Sequence, residues 1–193
     1  RSCGGCGALC RALAVPGAPG IDDLSRATGR TPLMDAAISC HAAVMSTLIS
    51  SGNASLSTRD RSEQTAVHHA VSSGCVEGTR LLLLHGADPD AQDRFGYTPL
   101  ILAVRRSAHL QSGGHVAASA ELMAVLLDAD AEVHTADKDN RTALLWAAWA
   151  GRLHSLTPLL ARCAELEELR GGALGADASL GRNASAARGG GEG

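Results

Sequence analysis

The chain has 193 residues, of which 45% are apolar, 19% charged and only 2% aromatic. That length holds one core or one short repeat array rather than two large domains, and the core must be aliphatic. A formal charge of −3, with a single lysine, Lys138, among 17 basic residues, speaks against wholesale attraction to nucleic acid, and no apolar run reaches the roughly 18 residues of a membrane span.

Residues 1–20 read as a flexible lead-in or the remnant of an earlier unit. They begin without Met and without a signal-peptide pattern, so a soluble fragment is expected. Cys3, Cys6 and Cys10 have a spacing that thiolates use for zinc. A structural site needs a fourth ligand at a defined distance, however, and none follows nearby, so free thiols are expected and no metal is assigned. Cys40, Cys75 and Cys163 are scattered among helical segments and make no disulfide framework. That pattern favours a reducing, intracellular setting, cytoplasmic or nuclear.

From residue 31 a period takes over. Thr31-Pro32-Leu33-Met34, Thr65-Ala66-Val67-His68, Thr98-Pro99-Leu100-Ile101 and Thr142-Ala143-Leu144-Leu145 recur at spacings of 34, 33 and 44 residues, inside the range that marks stacked repeats. Each Thr supplies an N-cap oxygen, and Pro32 and Pro99 stand at the first helical position, where no amide donor is lost. A small-residue helix follows each, and then a more apolar one over 44–49, 76–84, 122–127 and 153–160. After the second of these, Gly86 offers the left-handed conformation that closes a helix. The predicted unit is helix, turn, helix, extended loop, with boundaries near 26–59, 60–92, 93–136 and 137–165.

The third period carries 11 extra residues. They are placed at 108–118 as a solvated loop between two helices, since lengthening a loop costs only about 0.6 kcal/mol per doubling; a partner-contacting loop is the other reading. In the fourth unit Pro158 falls inside the second helix. It removes a hydrogen bond and clashes with the preceding turn at a cost of ~3 kcal/mol, so that helix is expected to kink or start late. The segment from Ala164 to Arg170 extends it until Gly171-Gly172 stops it. Residues 166–193 are thus a helical extension and then a disordered Gly/Ala-rich tail, in which 181–187 faintly echoes the start of a fifth unit.

The stretch Leu81-Leu82-Leu83-Leu84-His85-Gly86-Ala87-Asp88-Pro89-Asp90-Ala91-Gln92-Asp93-Arg94-Phe95-Gly96-Tyr97-Thr98-Pro99-Leu100 closely resembles the ankyrin-repeat signature. The resemblance covers roughly residues 21 to 163, most of an expected domain at 21–165. It implies an all-α solenoid of stacked helix-turn-helix units with short β-hairpin finger loops, used as a scaffold for protein–protein interaction. The physical logic agrees, because one pair of short helices cannot bury its apolar side alone and three or more must stack. His68 falls where this family usually carries His, which implies a hydrogen bond bracing the loop.

Little in the chain suggests catalysis. His68 and His69 face about 100° apart on a helix and cannot share a ligand. Cys75 lies a few residues on, but a Cys/His nucleophile would want an orienting third group. A phosphate-binding loop needs a lysine after glycine, and Lys138 follows Asp137. The sequons at Asn53, Asn140 and Asn183 are short enough to arise by chance. The expectation is no enzyme and no cofactor.

The resemblance further implies that partners dock on the finger tips and the exposed side of the first helices. Carried over residue by residue, this gives Ala27, Thr28, Arg30, Ile38 and Ser39, then Arg61, Ser62, Gln64, Ser72 and Ser73. The third and fourth units add Arg94, Phe95, Tyr97, Arg105 and Arg106, with Lys138, Asp139, Arg141, Trp149 and Ala150. Seven of these positions are basic and one is acidic, a formal +6 that leaves −9 for the rest of the chain. Three of the four aromatic residues also fall there. Partner binding is therefore assigned to Arg61, Arg94, Phe95, Tyr97, Arg105, Arg106, Lys138, Arg141 and Trp149, with the third and fourth units as the hot spot. The expected partner is an acidic or mixed acidic-apolar segment of another protein, bound by a monomer. Nucleic acid fits less well, since no groove-reading motif is present. Two other readings are an Arg-rich solvated surface without a partner, and a targeting or regulatory domain of a larger enzyme, channel or ubiquitin-ligase adaptor.

Overall fold

The computed structural model describes residues 20, 22–25, 28–50, 54–109 and 113–176. Among them the chain forms eight helices in four consecutive pairs: α1 (Pro32–Ile38) with α2 (Ala42–Ser50), α3 (Ala66–Ser73) with α4 (Val76–Leu84), α5 (Pro99–His109) with α6 (Gly113–Asp128), and α7 (Ala143–Trp149) with α8 (Leu153–Ala176). Local chemistry marks each start. The Thr31, Thr98 and Thr142 hydroxyls accept from the amides of Met34, Ile101 and Leu145 at 3.3–3.4 Å, satisfying donors that a helix N-terminus leaves over. Gly86, at φ +85°, closes α4 as its spacing predicts.

Each first helix packs on the first helix of the next pair, and each second helix on the next second helix, so the pairs form a linear stack. Alanine makes the close approach workable: Ala36, Ala37, Ala70, Ala103 and Ala147 are fully buried in the first-helix row. Leu48, Leu82, Leu126 and Leu159 fill the space between the two rows with no exposed surface. The core is aliphatic, as the composition requires.

The loops between pairs are tight tips built to one pattern. Asp60, Asp93 and Asp137 each accept, on one carboxylate oxygen, the amides two and four residues on, at 2.7–2.9 Å. The Asp amide in turn donates to the carbonyl four residues on, at 2.9–3.1 Å. The residue in between takes a left-handed turn: Glu63, Gly96 and Asn140 have φ of +61°, +81° and +59°. The expected β-hairpins reduce to this turn, since among the described residues there is a single antiparallel bridge, Ala136 to Thr142. A carboxylate, rather than a strand ladder, satisfies the tip amides.

Four other expectations are corrected. The insertion is not a loop spanning 108–118: α5 reaches His109 and α6 starts at Gly113, so the Ala-rich extra residues mainly lengthen the two helices. α8 does not start late: it begins at Leu153 and continues in helical hydrogen bonding past Pro158. It also runs past Gly171-Gly172 to Ala176, where neighbouring turns outweigh the glycine penalty of about 1 kcal/mol per residue. Finally, Cys40 and Cys75 are joined in a disulfide, because the first two pairs bring their inter-helix turns together; Cys163 is a free thiol. Cys3, Cys6, Cys10, Asn53, Asn183 and residues 177–193 lie outside the described residues, among which no group of residues could hold a metal ion.

Candidate partner-binding face

The tips and the first helices meet along one edge of the stack, and there the side chains at equivalent positions have diverged. Position four after the capping Thr reaches back to the Asp of its own tip. In the second unit His69 Nε2 lies 3.0 Å from Asp60 Oδ2. In the fourth, the Trp146 indole N–H donates to Asp137 Oδ2 at 3.0 Å. Burial pushes the Asp137 carboxyl up, but the amides of Arg141 and Asp139, the indole and the Arg141 guanidinium together hold it below the usual carboxylate range.

Fixed in this way, Trp146 anchors a row of rings. Phe95 and Tyr97 have centroids 5.7 Å apart, Tyr97 meets Trp146 edge-on at 6.2 Å, and Trp146 meets Trp149 edge-on at 5.7 Å. These are favourable quadrupole arrangements. Guanidinium groups lie over the rings: Arg94 over Phe95 at 4.6 Å, Arg105 over Tyr97 at 4.2 Å and over Trp146 at 4.9 Å, and Arg141 over Trp146 at 4.4 Å. The row ends in water on both sides, with Phe95 48% and Trp149 78% exposed. Rings and cations hold one another in place, so little side-chain freedom is left to lose on binding.

A model of the family described as "Ankyrin repeats (3 copies)" matches residues 3–93, 53–114 and 81–168. The chain belongs to the ankyrin-repeat family. Its similarity to curated proteins is partial. It is 34% identical to Inversin of Canis lupus familiaris over 123 residues, 63% of this chain and 10% of that protein. It is 43% identical to Zinc finger CCCH domain-containing protein 24 of Oryza sativa subsp. japonica over 74 residues, 36% of this chain and 10% of that protein. It is 32% identical to Palmitoyltransferase AKR1 of Lachancea kluyveri over 96 residues, 50% of this chain and 12% of that protein. The chain thus spans about a tenth of the length of these relatives. Ankyrin repeats are a non-catalytic interaction fold that binds other proteins, even where, as in the palmitoyltransferase, the whole protein is an enzyme.

Of the nine residues assigned from sequence, this ankyrin stack gathers six into the ring row: Arg94, Phe95, Tyr97, Arg105, Arg141 and Trp149. Three lie elsewhere. Arg106 turns back to donate to the Ser72 carbonyl at the end of α3, and Arg61 lies against Gly29 of the preceding unit. Both act as braces between neighbouring repeats. Lys138 is exposed at the fourth tip, its amide donating to the Phe95 carbonyl at 3.1 Å. The charge is also narrower than the formal +6, since Arg141 pairs with Asp137 and Asp139, and Arg30 with Asp35. Sequence reasoning missed Trp146. Its signal was the nine-residue spacing from the tip Asp, shared by Asp60 and His69.

Among the described residues no helix is long and apolar enough to cross a membrane.

Proposed function

We propose that this chain is a non-catalytic module whose third and fourth repeats bind an acidic or mixed acidic-apolar segment of another protein. The single observation carrying the reading is the row Phe95–Tyr97–Trp146–Trp149 with Arg94, Arg105 and Arg141 stacked on it. Exposed rings offer apolar contact at each end, and the guanidinium edges of Arg94 and Arg105 keep donors for carboxylates. Arg61, Arg106 and Lys138 extend the positive potential around the row and steer approach. The buried polar groups most suggestive of chemistry, His68, His69, Asp60 and Asp137, are engaged in hydrogen bonds that hold the repeats, which supports a binding rather than a catalytic reading. The proposal includes a monomer and an intracellular setting, cytoplasmic or nuclear, although the Cys40–Cys75 bond removes the cysteine pattern as an argument for that setting.

Fluorescence anisotropy with a panel of labelled peptides of equal length, acidic-apolar, basic-apolar and uncharged, tests the reading. The acidic-apolar peptide should bind best and lose affinity as salt is raised. Trp149→Ala, at a position too exposed to matter for folding, should weaken it about tenfold, and Arg105→Glu further. Equal binding of acidic and basic peptides, or no effect of Trp149→Ala, would overturn it.

A further inference from the structure

The turn between the two helices of a repeat needs one residue with positive φ. Gly74 supplies it in the second unit at φ +85° and Gly151 in the fourth at +64°. In the first unit the residue is Cys40, at φ +53°, a conformation that a side chain disfavours. Its sulfur is bonded to Cys75, the residue just before α4 in the next unit. A second departure from ordinary helix composition lies beside that bond. Gly78, inside α4, has no room for a methyl group: a Cβ there would come 2.8 Å from the Cys75 Sγ and 3.0 Å from the Met45 Sδ. Two locally unfavourable choices, a cysteine where the turn backbone favours glycine and a glycine where helix propensity favours alanine, thus converge on one bond between the first and second repeats.

The bond joins residues 35 apart in sequence, so it fastens the first pair, α1 and α2, to the rest of the stack. Without it that pair is still held by the packing of α1 on α3 and α2 on α4 and by the Ser73 hydroxyl donating to the Ala37 carbonyl at 3.0 Å. Cutting the bond leaves these non-covalent contacts alone to hold the seam between the first pair and the second. Cys40 is exposed and Cys75 fully buried, so an attacking thiol approaches from the Cys40 side.

We infer that Cys40–Cys75 is a reversible redox staple, whose two-electron reduction by a dithiol loosens the first repeat and leaves the third and fourth in place. The balance is that of thiol–disulfide exchange. A thiolate of the dithiol attacks the Cys40 Sγ, the S–S bond breaks, and Cys75 leaves as a thiolate and takes up a proton. The second thiol of the reductant, losing its own proton, then attacks its sulfur in the mixed disulfide and releases Cys40, which is protonated in turn. The reductant ends as its disulfide, two electrons having passed to the protein. In a reducing compartment such bonds are transient and redox-sensing, which reconciles the staple with an intracellular setting.

Hydrogen exchange of the chain, oxidised and after dithiothreitol, tests this. Reduction should speed exchange of the α1 and α2 amides at least about tenfold, leave α5 and α7 unchanged, and lower Tm by roughly 10 °C. Cys40→Gly, which suits the turn backbone, should reproduce the reduced pattern and make it indifferent to dithiothreitol. Alkylation of the chain equilibrated in dithiothreitol buffers of graded poise should show Cys40 and Cys75 becoming reactive together, and should reverse on reoxidation. Two free thiols under oxidising buffer, exchange in α1 and α2 unmoved by reduction, a bond intact at the most reducing poise, or a bond that does not re-form would each overturn the inference.

Discussion

His68 and His69 are neighbours that do unrelated work, and the difference lies in which way each ring points. The amide of Thr65 donates to His68 Nδ1 at 3.1 Å, which puts the ring proton on Nε2, where it donates to the Tyr97 carbonyl at 3.1 Å. His68 thus ties the second repeat to the third. His69 faces the other way and holds Asp60 inside its own repeat. The first role was legible because the resemblance places a histidine there. The second was not, because it depends on a long-range register that only the folded tip reveals. Burial pushes both imidazoles below their ordinary value, outweighing the Tyr97 carbonyl for His68 and the Asp60 carboxylate for His69. The unfolded chain therefore takes up protons as pH falls through about 6.5 while the folded one resists. Stability should be flat above that pH and fall below it, by at most about 1.4 kcal/mol per pH unit for each histidine. Urea midpoints at pH 7.5 and 5.5 (about one unit either side of the free value) check this. His69→Gln, which can still donate to Asp60, should flatten part of the slope; a slope unchanged in that variant would assign the effect elsewhere.

Helix starts were readable from the Thr and Pro pattern, but helix ends were not, because packing along a neighbouring row decides where a helix stops. α8 shows this best. Pro158 takes away the amide that would reach the His154 carbonyl, yet α8 runs on to Ala176. Leu159 beyond the proline is fully buried, and Leu156 and Cys163 pack against the core, so burial holds the helix across the defect. The insertion obeys the same rule, its alanines extending α5 and α6 where loop-length reasoning alone placed a loop. Pro158→Ala should then restore the missing bond and relieve the ring clash. We expect the free energy of unfolding to rise by about 1–3 kcal/mol, read from urea denaturation at neutral pH. A fall, or no change, would show that α8 does not continue through this position in solution.

Across the whole molecule, the period in the sequence announced the stack and its direction, and it also names the side chains through which one repeat touches the next. Three residues after the capping Thr stand Met34, His68 and Ile101, each at most 1% exposed because the following pair covers it. The equivalent residue in the fourth unit, Leu145, is 53% exposed, and Ala148, equivalent to the buried Ala37, Val71 and Val104, is exposed as well. The same chemistry at the same register meets protein in three repeats and water in the fourth. A charge placed at these positions should report that difference directly. Ile101→Glu leaves a carboxylate with no partner between two repeats and should cost about 3–5 kcal/mol, enough to uncouple the fourth unit from the third. Leu145→Glu places the same group in solvent and should change stability by no more than about 0.5 kcal/mol. The two variants, compared by urea denaturation with the Trp146 and Trp149 fluorescence as the local signal, separate register from composition, since side chain and substitution are nearly matched. If Leu145→Glu proved as costly as Ile101→Glu, Leu145 would be covered in solution, and the contrast in exposure between the two units would not hold.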